Sequence, residues 1–321
     1  MGIGRAGKRS LILLTAAACA ASGATPAWAS EIIARNASRV TLKANAKGEA
    51  LVSYSEAGKV KNLLVWGAVN AIPPTTARAQ VAFRLDYAGG WGKYRSATYA
   101  KTFADGCARY DGPPLPLLVT ACKAPDGSYW ALQSWERMLP NLGLAPWTPK
   151  QSVRELHASH WRGQLPTLEV YTDWVYSKHF HHLFGRFTYQ GQPVFGFRST
   201  STGVPLDTFG RNVYLDTLDS AYGPGWKREN SFLAQAETGS FCYGFYPHPP
   251  YPGYPKGVRP MGNGKRYRVT ASGPGVTPLV VWEGAGQPDY DASNPAHVAL
   301  EARMNTLQRE LAGPTGRCRI N

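Results

Sequence analysis

The sequence predicts a mainly β protein: antiparallel, β-sandwich-like lobes with one C-terminal helix. Three observations lead there. Short runs rich in Val, Leu, Tyr, Phe and Trp recur along the chain, several with apolar and polar positions alternating. Gly, Pro, Asn and Asp punctuate these runs at close intervals, as turns between strands require. Helical spacing is sustained clearly only near the C-terminus. Among 321 residues, a 43% hydrophobic and 12% aromatic share excludes a disordered chain, and the 34 Gly and 25 Pro follow no collagen period. No repeat of roughly 20–50 residues is visible, which removes solenoids and propellers.

Residues 1–29 read as an address. Arg5, Lys8 and Arg9 precede an apolar run over 11–21, and Ala27-Trp28-Ala29 is a small-x-small cleavage signal. This is the layout of a secretory signal peptide. The run is too short to cross a bilayer, which takes about 20 residues, and no later run is long enough. The Lys8-Arg9 pair fits the general export route better than a twin-Arg one. Cleavage after Ala29 makes Ser30 the new N-terminus and places the protein outside the cytoplasm, secreted or extracytoplasmic.

The strands follow in order. Runs at 41–46, 49–54 and 61–69 flank the Lys47-Gly48 and Ala57-Gly58 turns and predict a three-stranded meander. Val81, Phe83, Leu85 and Tyr87 alternate with Ala82, Arg84 and Asp86 and predict a half-buried strand. Pro125-Asp126-Gly127-Ser128 is a turn leading into a strand at 129–135. Further strands are expected at 167–176, 179–189, 194–198, 212–218, 240–246, 267–271 and 279–282. The Pro- and Gly-rich 248–265 stretch reads as a long surface loop, and 216–230, which holds Gly223-Pro224-Gly225, as another. Two helices are predicted. Asn294-Pro295 caps and opens one whose Leu300, Met304, Leu307 and Leu311 share a face before Gly313 ends it. Thr148-Pro149 opens a second through Trp161, with Val153, Leu156 and His160 on one side.

A Pro-rich composition break near 140–150 divides the chain into an N-terminal β lobe (30–145) and a C-terminal β lobe with the helix (146–321). One long sandwich with a large insertion is the alternative. Four cysteines follow the leader. An even number in an exported chain implies disulfides. The local pairing is Cys107–Cys122, across a Gly- and Pro-rich loop, with Cys242–Cys318 tying the C-terminal tail to a strand. No Cys-x-x-Cys spacing supports a zinc ribbon or a redox centre.

Charge narrows the partners. Losing Arg5, Lys8 and Arg9 from 35 basic residues leaves 32 against 21 acidic ones. The excess is spread in short groups such as Lys227-Arg228 and Lys265-Arg266-Tyr267-Arg268. Outside a cell, diffuse positive charge attracts acidic or glycan polymers of the envelope. Export and the lack of a nucleic-acid-binding motif argue against nucleic acid.

The aromatic positions carry the functional expectation. A sugar ring offers an apolar C–H face that an indole can cover, while polar side chains hold the hydroxyl rim. Tyr129, Trp130, Trp135, Trp174 and Tyr176 are the candidate platforms. Trp174 and Tyr176 are predicted to share a strand face with Asp173 opposite, and Tyr129-Trp130 follows an accessible turn. Most aromatic rings in a chain this size fill the core, so one or two platforms among these are expected. His179-x-His181 could share a metal on one strand face, but spacing identifies no third ligand, and His157 and His160 form a second local pair. Asp207, Asp216, Asp219 and Glu229, with Asn230, could hold calcium or supply a glycosidase carboxylate pair. No cofactor motif is present: the chain lacks a Gly-x-Ser-x-Gly elbow, a phosphate-binding loop and a dinucleotide fingerprint. The sequence therefore points first to a non-catalytic binder of carbohydrate or cell-wall polymer. A secreted glycoside hydrolase and a structural module of the envelope are the alternatives.

Overall fold

The computed structural model describes residues 31–72, 76–77, 81–137, 153–195, 211–247 and 260–315. Their architecture is mostly antiparallel β-sheet with one long C-terminal helix, as the strand and turn pattern predicts. The chain begins with β1 (Glu31–Arg35), then the meander β2 (Ser38–Ala44), β3 (Glu49–Glu56) and β4 (Lys59–Trp66), to which β5 (Arg84–Asp86) adds an edge. These four meander strands form the first sheet. After the short helices α1 (Trp91–Tyr94) and α2 (Tyr99–Thr102) come β6 (Ala108–Arg109), β7 (Leu118–Lys123), β8 (Tyr129–Arg137) and β9 (Val153–Trp161). They form the second sheet, in the order β1-β9-β8-β7-β6.

The C-terminal half holds the other two sheets. Strands β10 (Thr167–Val175), β11 (Phe180–Tyr189) and β12 (Gln192–Pro193) pair in sequence, and β15 (Ser240–Gly244) joins β11 to complete the third. The fourth runs β14 (Gly223–Phe232), β13 (Val213–Ser220), β16 (Arg266–Ala271), β17 (Val280–Ala285). Helix α3 (Pro295–Ala312) follows the fourth sheet and covers the third.

Burial explains the pairing of sheets. Val52, Leu63 and Val65 of the first sheet share a core with Trp130, Leu132, Leu156 and Ala158 of the second. Leu183, Phe187 and Phe241 of the third share another with Val213, Leu215, Tyr267 and Val269 of the fourth. Each sheet thus hides one apolar face against its partner, the sandwich solution. The outer face of the third sheet is sealed by α3, whose Met304 and Leu311 pack on Phe184. As the sequence indicates, Asn294 caps that helix, its side chain accepting from the Ala296 amide at 3.0 Å, and Gly313 follows its last residue at a φ of 59°.

A buried segment joins the two sheet pairs. Residues 272–279 lose nearly all their solvent contact between the second and fourth sheets. Gln133 of β8, fully buried, accepts from the Leu279 amide at 3.1 Å and donates to the carbonyls of Pro116 (2.8 Å) and Leu279 (3.3 Å). Its amide is satisfied, so this polar side chain can seam two apolar bodies without an orphaned group. Elsewhere, Glu49 anchors α1 and α2 to the first sheet. Burial alone would raise its pKa, but hydrogen bonds from Lys93, Tyr94, Tyr99 and Asn45 outweigh it and hold the carboxyl down at about 2.

Several expectations are corrected. The residues predicted to continue a helix into Trp161 form the strand β9; Val153, Leu156 and His160 fit a helical face, yet nearly the whole segment is buried between β1 and β8. Tertiary pairing overrides a short local pattern. The stretch 216–230 is not a loop. It is the β13–β14 hairpin, and Pro224 is tolerated because β14 is an edge strand. Val194 and Phe195 are not in a strand; the rest of that predicted strand, like Thr148 and Pro149, lies outside the described residues. So do the leader 1–29, the composition break at 140–150 and most of the 248–265 stretch. Strand β9, just beyond that break, pairs with β1 and β8 before it. The expected Cys107–Cys122 disulfide is present. Cys242 is also disulfide-bonded, and Cys318 lies outside the described residues.

Candidate functional site

The fourth sheet has two unlike faces, and the difference follows from strand alternation. Val213, Leu215, Tyr267, Val269 and Ala271 point into the core shared with the third sheet. The alternate positions Tyr214, Asp216, Arg268 and Thr270 line a cavity of about 240 Å³, joined by Trp226 and Arg228 of β14. Across the cavity stand Ser134, Trp135 and Glu136 from the end of β8, Arg154 from the start of β9, and Leu117. The site is therefore built between the two sheet pairs, from five strands and their flanks.

Asp216 organises its floor. In register it pairs with Arg228 on one neighbouring strand and with Arg268 on the other, so a cation, an anion and a cation lie in one row. The Asp216 carboxylate is 1% exposed. Its Oδ1 accepts from Arg228 Nε, and its Oδ2 from Arg268 Nε at 3.2 Å and Nη2 at 3.0 Å. Burying one carboxylate between two guanidiniums satisfies its charge. Each arginine also lies on a ring: Arg228 is 4.7 Å from the Tyr214 centroid and Arg268 is 4.3 Å from that of Trp226. Both guanidiniums are thus fixed in place by an ion pair and a stacking partner.

Trp135 shapes the opposite wall. One face of its indole stacks on His157 with centroids 3.5 Å apart. Trp135 and Trp226 are half-buried, so part of each ring remains accessible. Arg154 is exposed at the rim.

The predicted platforms are scattered. Trp135 alone lies in this cavity. Trp130 is no platform: it is fully buried between Phe83 (5.5 Å) and His160 (3.8 Å), because its position on β8 faces the first sheet. Trp174 is 4% exposed, with its indole N–H donating to the Pro288 carbonyl at 2.8 Å. It pins the segment leading to α3. Tyr176 is exposed but not on the same strand face as Trp174; β10 ends at Val175, and Tyr176, Ser177 and Lys178 turn the chain with φ of 50°, 53° and 68°. Its ring meets Phe180 and Tyr246 instead. Tyr129 is half-buried, donating to Asp111 at 2.8 Å.

The histidines are dispersed as well. His181 binds Tyr267 (2.9 Å) and Asp289 (3.2 Å), while His182, on the opposite face, binds Asp173 at 2.6 Å. His179 is exposed in the turn. His160 donates from Nδ1 to the Ala68 carbonyl (2.6 Å) and shares a hydrogen bond between Nε2 and Ser128 Oγ (2.7 Å), and burial lowers its pKa to about 4. Among the described residues no group of three or more His, Cys, Asp or Glu is arranged to hold a metal. The carboxylates part likewise. Glu229 turns away from the cavity to accept from Tyr222 (3.1 Å) and Tyr243 (2.9 Å), against Gly262, where a Cβ would fall 1.7 Å from Oε2. Asp219 accepts from the Gly225 amide and Lys265. Asp216 and Glu229 therefore do not face each other across a cleft, and Asp207 lies outside the described residues.

Trp226, Arg154 and Arg268 were not singled out as site residues from sequence. A readable signal existed in part: Trp226-x-Arg228 and Arg266-x-Arg268 alternate as strand faces do. No family model, no curated protein and no solved structure matches the chain.

Proposed function

We propose that the protein is exported and binds carbohydrate or a cell-wall polymer, without catalysis, in the cavity between the second and fourth sheets. One observation carries this reading: Trp135 and Trp226, from different sheets, line a single cavity with three arginines, Ser134 and Thr270. Indole faces cover the C–H side of a sugar, and guanidinium and hydroxyl groups meet its oxygen rim. At about 240 Å³ the cavity lies below the roughly 300–1,000 Å³ of pockets that enclose drug-sized ligands. It suits one ring of a polymer, with the rest of the chain outside. The predicted leader, the Cys107–Cys122 disulfide and the basic surplus support an envelope setting. Binding without chemistry is favoured because, of the two carboxylates that line the cavity, Asp216 is buried with both oxygens facing arginines and Glu136 is exposed to solvent.

Retention on immobilised envelope polysaccharides tests the proposal. The wild type is expected to be retained by at least one, and Trp135→Ala/Trp226→Ala to pass through while keeping its fold by circular dichroism. A folded wild type retained by none overturns the reading.

A further inference from the structure

We infer that the saccharide bound in the cavity is acidic and that Arg154 reads its carboxylate; this rests on the carbohydrate reading above. The three arginines of the cavity are not equivalent. Arg228 and Arg268 are committed to Asp216 and to the rings of Tyr214 and Trp226. The Arg154 guanidinium makes no hydrogen bond or ion pair among the described residues, although Glu136 stands directly opposite it on β8. An arginine that passes over a carboxylate in register leaves its planar, five-donor fork available for a ligand. Such a fork matches a carboxylate with two parallel hydrogen bonds. The cavity already holds one carboxylate by guanidinium groups: Arg268 donates from both Nε and Nη2 to a single oxygen, Asp216 Oδ2, while Arg228 takes Oδ1. Arg154 is exposed, so its charge contributes little to folding, and attraction at the rim is screened by salt. Ligand recognition is the role that placement leaves.

Titration calorimetry with a trisaccharide of galacturonic acid, and with the neutral galactose trisaccharide of the same linkage, tests this at low and high salt. The acidic sugar is expected to bind more tightly, with the difference shrinking as salt rises. Arg154→Ala should cost the acidic sugar about tenfold or more, as loss of a charge-assisted hydrogen bond does, and cost the neutral one several-fold less. Arg154→Lys should recover part of the loss. Arg309→Ala, which removes the same charge from α3, should change nothing. Equal affinity for the two sugars overturns this inference alone, as does an Arg154→Ala effect no larger than that of Arg309→Ala. Failure of a retained protein to bind the acidic sugar overturns this inference alone, whereas failure to bind either sugar together with no retention on any envelope polysaccharide overturns the carbohydrate reading and this inference with it.

Discussion

Asp216 and Arg268 occupy facing positions on β13 and β16, and the guanidinium that grips the carboxylate at 3.0 and 3.2 Å also lies 4.3 Å from the centroid of Trp226. The same pair thus neutralises a buried charge and fixes one wall of the cavity. Removing the acid takes the shared carboxylate away from two guanidiniums, Arg228 buried and Arg268 half-buried. Asp216→Ala is expected to lose about 3–5 kcal/mol in urea unfolding, the cost of breaking a buried pair from one side. Arg154→Ala, at the exposed rim, should stay within about 0.5 kcal/mol. Similar losses for the two would remove the distinction between framework and rim arginines.

Trp130 and Trp135 are five residues apart on one strand but differ in environment. Trp130→Ala should lose about 3–5 kcal/mol, as truncation of a core tryptophan does, and keep saccharide binding in the molecules that remain folded. Trp135→Ala should lose binding with a smaller change in stability. Thermal melts beside a retention assay measure both, and the reverse pattern would place the site elsewhere.

His160 makes stability pH-dependent. Its folded pKa of about 4 lies below the usual 6.5, so the unfolded chain binds the extra proton between these values. The contribution is present in full above pH 6.5 and is lost as pH falls towards 4. Its size is about 3 kcal/mol at 1.36 kcal/mol per unit. His181, also lowered by burial against the pull of Asp289, adds to the same slope. Unfolding free energies from pH 4 to 7 should rise with pH, less steeply in His160→Asn. An equal slope in the variant would show that another group dominates.

The Cys107–Cys122 bridge spans 15 residues and ties β7 to the segment leading into β6. In the chain-entropy model a loop of that size is worth about 3 kcal/mol. Replacing both cysteines by serine is expected to lower the unfolding free energy by about that amount. No change on reduction of the wild type would contradict it.

The meander and α3 were legible because their signals are local. Lys47-Gly48 and Ala57-Gly58 mark the turns, and Asn294 and Gly313 mark the helix ends. Strand β9 was not, since its Val153, Leu156 and His160 spacing suits a helix and only pairing with β1 and β8 decides otherwise. The site was legible at Trp135 and Asp216 alone among its lining residues, and Asp216 was read as a ligand or catalytic acid, not as the anchor of two arginines. Reading Gly223-Pro224-Gly225 as a loop concealed the hairpin that aligns Trp226 and Arg228 with Asp216. Arg268 and Arg154 reach the cavity through strand order, which brings together residues more than fifty positions apart and leaves no trace in local spacing.

The most direct test of saccharide binding in this cavity is a crystal structure of the protein with a saccharide that it retains. Density is expected for one sugar ring in the cavity between β8–β9 and β13–β14–β16, in contact with Trp135 and Trp226 and within hydrogen-bonding distance of an arginine. Saccharide bound elsewhere, for example over Tyr176 and Tyr246, with this cavity empty, would contradict it.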